Sequence, residues 1–168
     1  FSPKGPPRPM ISKMKSVPFV GTVAESLNCS LKSLMEENKK IILIGEDIRD
    51  PYGGAFKITR GLSTMFPDQV YLSPISEAAI VALANGLSLE GFSPIVEIMF
   101  GDFLFLAADQ LMNHAAKFQA IRGGNLSMVI RTPMGGRRGY GPTHSQSIEK
   151  HFLGHSGLFV VAVNHFTD

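Results

Sequence analysis

The chain has 168 residues, 44% of them hydrophobic, and a formal net charge of +2. This suits a packed domain with a core of its own, excludes a disordered polyelectrolyte and argues against nucleic acid as a partner. Cys29 is the single cysteine, so an internal disulfide is impossible and a reducing compartment is expected.

Residues 1–20 carry Lys4, Arg8, Lys13 and Lys15, many prolines and no acid. They read as an exposed basic arm or linker, without the apolar core of a signal peptide, ahead of an α/β domain over 21–168. From Val23 to Glu37, apolar residues fall at Val23, Leu27, Leu31 and Leu34, which is helical spacing. "KIILIG" (40–45) is a β-branched run typical of a buried strand, and "DPYGG" (50–54) breaks the chain. A short helix is expected around Ile58–Phe66 and a short strand at "QVYL" (69–72). "EAAIVALANGLSLEG" (77–91) is helical, apolar nearly all round, and stops at Gly91. "SPIVEIMF" (93–100) reads as a second clear strand.

The run 103–121 predicts a long helix. Its apolar stripe includes Leu104, Ala108, Leu111, Ala115 and Phe118, while Asp109, Asn113 and Lys117 share another face. The most membrane-like stretch, 92–112, contains Glu97, Asp102 and Asp109, so no membrane span is expected. "LSMVIR" (126–131) is a strand, 132–147 a long glycine-rich loop, "SIEKHFLG" (147–154) a short helix and "LFVVAV" (158–163) a last strand. Strands alternating with helices predict a mostly parallel sheet with helices on both faces.

Ligands of such sheets sit beyond the carboxyl ends of the strands. "GEDIRDPYGG", "SPISE", "MFGDF" and "RTPMGGRRGYGPTHSQS" all leave predicted strands there, and they hold the unusual polar and glycine content. Within "SPISE", Ser76 suits an N-cap and Glu77 the positive end of the helix. Because the helix behind it is apolar on every side, Glu77 is expected to be buried. A buried carboxylate costs several kcal/mol unless paired or protonated, and it can share a proton with a ligand nitrogen. His144 is either a solvated loop histidine or an acid–base group carried on a flexible loop. Arg137 and Arg138 suit an acidic substrate or partner, or else a solvated loop tip.

No phosphate loop, G-x-G-x-x-G or G-x-S-x-G elbow is present. His114, His144, His151, His155 and His165 show no zinc-like spacing with Cys29, so no metal ligands are assigned.

Read together, "GEDI…YGGAFKITRGL", "SPISEAAIVALANGLSLEGFSPIVEIMFGDF", "AADQLMNHAAK" and "GPTHSQS" closely resemble the beta subunit of thiamine-diphosphate-dependent 2-oxo acid dehydrogenases. The resemblance runs from about Ile41 to Val161. It implies a pyrimidine-binding α/β domain of the transketolase-like type, holding the aminopyrimidine end of thiamine diphosphate. Glu77 matches the catalytic glutamate that bonds a pyrimidine nitrogen and favours the imino tautomer. The activated cofactor then attacks the 2-oxo acid, carbon dioxide leaves and the acyl unit passes to lipoyl-lysine. Phe103 matches an aromatic packed on the pyrimidine, Met99 a residue lining its pocket, and His144 an active-site histidine serving proton and acyl transfer. For Asp109, Asn113 and Lys117 the resemblance implies structural and interface roles.

The implied partners are an alpha subunit holding magnesium and the diphosphate, a second beta chain and the lipoyl domain of an acyltransferase. The implied compartment is a bacterial cytoplasm or a mitochondrial matrix. A carboxy-terminal transketolase-type domain, usual in such subunits, is expected to lie outside this chain. Val163 replaces a common proline, and Arg137 and Arg138 occupy a stretch that varies in the family. The rival readings are a non-catalytic module of the same fold and the corresponding transketolase domain, against which "THSQS" speaks. RNA binding through "GGRRGYG" is weak, since no aromatic platform accompanies it.

Overall fold

The computed structural model describes residues 21–123 and 126–163. The basic arm over 1–20, and His165 with the rest of 164–168, lie outside the described residues. Four strands form one parallel sheet in the order β2-β1-β3-β4. These are β1 (Ile41–Gly45), β2 (Val70–Leu72), β3 (Ser93–Glu97) and β4 (Val129–Arg131). Every residue of β1 is buried, because the strand is central and covered on both faces.

Alternation along the strands sends side chains into two cores. On one face, Ile42, Ile44 and Val96 meet Ile80, Val81 and Ala84 of α3 (Glu77–Leu89), together with Leu104 and Leu111. On the other, Ile41, Leu43 and Ile95 meet Leu31 and Met35 of α1 (Val23–Glu37) and Leu62 of α2 (Leu62–Met65). Each such aliphatic side chain contributes about 1.5–3 kcal/mol on full burial. Among the described residues, no helix is long and apolar enough to cross a membrane.

Local chemistry sets the ends of α1. The Thr22 hydroxyl accepts the Glu25 N–H at 3.2 Å, and Glu25 accepts the Thr22 N–H at 2.8 Å, a reciprocal capping box. The helix expected around 58–66 is shorter than predicted, with one 3₁₀ turn at Ala55–Lys57 and α2 at Leu62–Met65. Gly61, left-handed at φ 83°, sets the start of α2, and Asp50 reaches forward to cap it. Its carboxylate accepts from the Thr64 hydroxyl at 2.7 Å, the Gly61 N–H at 2.7 Å and the Ser63 hydroxyl at 2.8 Å.

Two other predicted elements differ. The strand expected over 93–100 ends at Glu97, the last residue paired with β4. Beyond it, the Gly101 N–H donates to the Pro133 carbonyl at 2.9 Å, and a Cβ on Gly101 would lie 2.5 Å from Met134 Cγ. A side chain at this position would have to displace Met134, and the chain turns there. The long helix expected over 103–121 is a 3₁₀ stretch at Gly101–Ala107, a π-helical stretch at Gln110–Ala115 and α4 (Ala116–Arg122). Buried Asn85 of α3 donates to the Gln110 carbonyl at 3.1 Å. A side chain inserted into the ladder is an established cause of such a bulge.

The strand expected over 158–163 forms no ladder among the described residues, and Phe159, Val161 and Val163 are exposed. β-propensity does not supply a neighbouring backbone. The short helix expected at 147–154 is one 3₁₀ turn, Glu149–His151.

The Asp50 clamp yields a pH prediction. Thr64, then the Gly61 N–H, holds the Asp50 carboxyl down at about 2, against an ordinary 3.8. A depressed acid contributes stability above its unfolded value, and that contribution is lost as pH falls through its folded one. Asp50→Ala is therefore expected to cost about 1 kcal/mol at neutral pH, the usual cost of losing a cap. Urea midpoints of variant and parent should converge as pH approaches 2.

Candidate active site

The strand order places a break in the winding. The chain passes from β1 to β2 on one side, then crosses to β3 on the other side of β1. Segments leaving β1 and β3 therefore diverge, and a crevice opens between their carboxyl ends. At this rim β1 and β3 approach closely. A Cβ on Gly45 would sit 2.6 Å from the Glu97 carbonyl oxygen, so this position requires glycine.

The crevice is an aromatic cavity of about 250 Å³, lined by Tyr52, Ala55, Phe56, Met99, Phe100, Tyr140 and His144. The first three leave β1, the next two leave β3, and the last two lie on the loop after β4. The His144 ring stands edge-to-face against Phe100, with centroids 4.8 Å apart, and against Phe103 at 5.2 Å. Its Nδ1 lies 2.7 Å from the Thr143 hydroxyl. Phe100 also meets Tyr140 at 5.4 Å and Phe56 at 6.3 Å. Such contacts contribute about 0.5–1.5 kcal/mol each beyond area burial. Three of the residues singled out from sequence, Met99, Phe103 and His144, are thus brought together.

Phe56 has a left-handed backbone (φ 58°, ψ 22°), and Lys57 follows at φ 62°. For a bulky residue this conformation costs about 1–3 kcal/mol and persists only where its surroundings impose it. Here they do. Asn28 donates to the Ile58 and Arg60 carbonyls at 2.6 and 3.0 Å, the Thr59 hydroxyl to the Ile48 carbonyl at 2.8 Å, and the Lys57 ammonium to the Tyr52 carbonyl at 2.6 Å.

Glu77 lies at the same rim, at the start of α3, and is 6% exposed. It does not line the aromatic cavity. Ser76 occupies the N-cap position in extended conformation, yet its side chain makes no capping bond, so the expected hydroxyl cap is absent. Beside Glu77 stands Glu46, the first residue after β1, also buried. Burial, the Glu77 charge and then Asp47 push the Glu46 carboxyl up, while the Ser76 N–H pulls the other way. Glu46 Oε1 and the Ser73 hydroxyl are buried with no hydrogen-bond partner among the described residues.

A third buried acid behaves differently. Glu97 ends β3, opposite Arg131 of β4, and the guanidinium grips both carboxylate oxygens, Nε to Oε1 at 2.5 Å and Nη2 to Oε2. Burial pushes Glu97 up against that pull.

Sequence reasoning had assigned no role to Glu46, Phe56, Phe100, Tyr140 or the Glu97–Arg131 pair. Glu46 carried a readable signal, an acid placed directly after a wholly apolar strand. Asp109, Asn113 and Lys117 lie apart from the crevice. Asn113 donates to Asp109 at 2.9 Å and Lys117 to Asn113 at 2.7 Å, beside a second cavity of about 240 Å³ that His155 also lines. Arg137 sits at φ 67°, and the Arg138 guanidinium lies over the Phe56 ring.

Residues 22–165 match the family described as transketolase, pyrimidine binding domain. The chain belongs to this family. It is 37% identical over 153 residues to a pyruvate dehydrogenase E1 component subunit beta of Leifsonia xyli, covering 89% of this chain and 44% of that protein. It is 35% identical to a 3-methyl-2-oxobutanoate dehydrogenase subunit beta of Mycobacterium tuberculosis, covering 83% and 41%. It is 38% identical to a mitochondrial 2-oxoisovalerate dehydrogenase subunit beta of Dictyostelium discoideum, covering 82% and 38%. The chain spans less than half the length of these relatives.

The Glu46–Glu77 pair predicts how stability varies with pH. A raised carboxyl binds more protons in the folded state, so stability falls as pH rises from the ordinary 4.5 through the folded value. Glu46→Gln removes that loss. The variant should exceed its parent in thermal midpoint at pH 8, and the gap should close below about pH 4.5. A gap independent of pH would mean that the Glu46 charge is compensated.

Proposed function

We propose that this chain is the pyrimidine-binding half of a 2-oxo acid dehydrogenase beta subunit, which decarboxylates a 2-oxo acid and passes the acyl group to lipoyl-lysine once an alpha partner is bound. The observation that carries this reading is a buried carboxylate, Glu77, which heads an apolar helix beside an aromatic crevice and has no capping hydroxyl of its own. The names of the three relatives support the reaction class.

The residues present fit thiamine diphosphate. Orphaned acceptor Glu46 Oε1, the buried Ser73 hydroxyl, the Glu77 carboxylate and the apolar surfaces of Met99 and Phe103 suit a flat heterocycle with polar edges. When bound, that cofactor supplies the carbon nucleophile and the electron sink for decarboxylation. On this reading the Glu77 side chain makes the hydrogen bond to a ring nitrogen, and burial and the Glu77 charge push the neighbouring Glu46 carboxyl up. Phe103 and Met99 orient the ring and exclude water. His144, fixed by Phe100, Phe103 and Thr143, exchanges a proton with the substrate-derived oxygen during acyl transfer. Magnesium and the diphosphate are assigned to the alpha partner, and a second beta chain and a lipoyl domain complete the assembly. The chain works in a bacterial cytoplasm or a mitochondrial matrix, and the arm over 1–20 and the domain over 21–168 are read as linker and catalytic module.

Two variants test the roles within the assembled enzyme. Glu77→Gln should keep its far-ultraviolet circular dichroism yet lose turnover by a thousandfold or more (about 4 kcal/mol). Normal turnover would remove Glu77 from the chemistry and favour the non-catalytic module. His144→Ala should slow transfer to a lipoyl acceptor far more than it weakens cofactor binding. Equal loss of both would reduce His144 to a wall of the pocket.

A further inference from the structure

The loop leaving β1 and the glycine-rich loop leaving β4 meet where the Arg138 guanidinium carbon lies 4.7 Å from the centre of the Phe56 ring. That ring is a wall of the aromatic cavity, with Tyr140 and His144 beside it. Among the described residues the ion pairs are Lys32–Glu36 and Glu97–Arg131, so the Arg138 charge has no carboxylate there. Arg138 is exposed, and an exposed arginine normally samples many rotamers in water. Here an aromatic face holds it, and that face is itself fixed in a strained backbone by the bonds from Asn28, Thr59 and Lys57. A guanidinium held over an aromatic ring keeps N–H groups available for a planar acid and loses little freedom when it binds one.

We infer that Arg138, stacked on Phe56, recognises the carboxylate of the incoming 2-oxo acid at the mouth of the aromatic cavity. The inference rests on the dehydrogenase reading and adds to it a specificity-determining residue. The position at the rim suits the chemistry. The carboxylate leaves as neutral carbon dioxide, so a cation gripping it stabilises the ground state over the transition state. Arg138 therefore acts on capture, and its loss appears in KM more than in kcat. Arg137 is the internal control. It has the same charge one residue away, with no aromatic ring beneath it among the described contacts.

The test uses the full complex with its alpha partner and cofactor. Affinity for 3-methyl-2-oxobutanoate and for pyruvate is measured by calorimetry in a Glu77→Gln background, where turnover does not interfere. Adding Arg138→Gln should weaken binding about tenfold, or about 1.4 kcal/mol. Arg138→Lys should recover part of the loss, Arg137→Gln should change it less than twofold, and the neutral methyl ester of the same acid should bind all variants alike.

In the parent background, KM for the acid should rise with a small-molecule electron acceptor as well as with a lipoyl domain. Unchanged affinity for the acid, an equal loss with the ester, or an equal effect from Arg137→Gln would overturn the assignment. So would an effect confined to KM for the lipoyl domain, which would make Arg138 a docking residue for that partner. A complex that turns over no 2-oxo acid removes the dehydrogenase reading by itself, while the affinity comparison still decides Arg138.

Discussion

The site depends on the last rung between β3 and β4, where Glu97 faces Arg131. Two of the three segments that carry the crevice leave the sheet from that rung, one toward Met99 and Phe103, the other toward Tyr140 and His144. A one-residue slip would turn every side chain to the opposite face. Hydrophobic pairing alone guards poorly against such a slip on a strand as short as β4, where Val129 is exposed and Ile130 and Arg131 are only partly buried. The bidentate ion pair makes the register specific, since either charge left alone inside would cost about 3–5 kcal/mol. Beyond the rung the same registration continues through the Ile98 N–H on the Arg131 carbonyl and the Gly101 N–H on the Pro133 carbonyl.

Three buried glutamates divide between two treatments. Glu97 has a guanidinium and serves the sheet. Glu46 and Glu77 lie together without an ion pair among the described residues, and there one oxygen of Glu46 has no hydrogen-bond partner. No gain in stability accounts for that arrangement, because a like-charged buried pair is unfavourable until one member takes a proton. Unfavourable local choices that the fold tolerates are where function is to be sought. The left-handed Phe56 belongs to the same class, and it lines the aromatic crevice.

How much of this was legible in the sequence followed the range of the forces involved. β1 and α1 could be read because their patterns are local: a short apolar run rich in β-branched residues, and a helical stripe at Val23, Leu27, Leu31 and Leu34. The π-helical stretch could not, since it depends on Asn85 reaching a carbonyl 25 residues away. The run at 158–163 read as a strand because strand propensity says nothing about whether a neighbour is present. Among site residues, Glu77, Met99, Phe103 and His144 were marked by ordered motifs. Glu46 and Phe56 sat inside quoted motifs without a role, because pairing across strands and backbone conformation are not written in residue order.

The loop over 50–61 carries Tyr52, Ala55 and Phe56 of the crevice wall and is held by anchors that do not line it. Asp50 holds Gly61, Ser63 and Thr64, Asn28 of α1 holds Ile58 and Arg60, and between these anchors the chain has little freedom. A Cβ on Gly53 would lie 2.8 Å from the Arg60 backbone, and one on Gly54 2.6 Å from the Thr59 hydroxyl, so the two ends of the loop are packed against each other. The strain at Phe56 is thus offset by ordinary hydrogen bonds made away from the cavity. Flexible loops adapt to what they bind, whereas this one presents a fixed aromatic wall, and the arginine stacked on it inherits that rigidity. The shape of the crevice then depends on the loop's anchors as much as on the residues that line it.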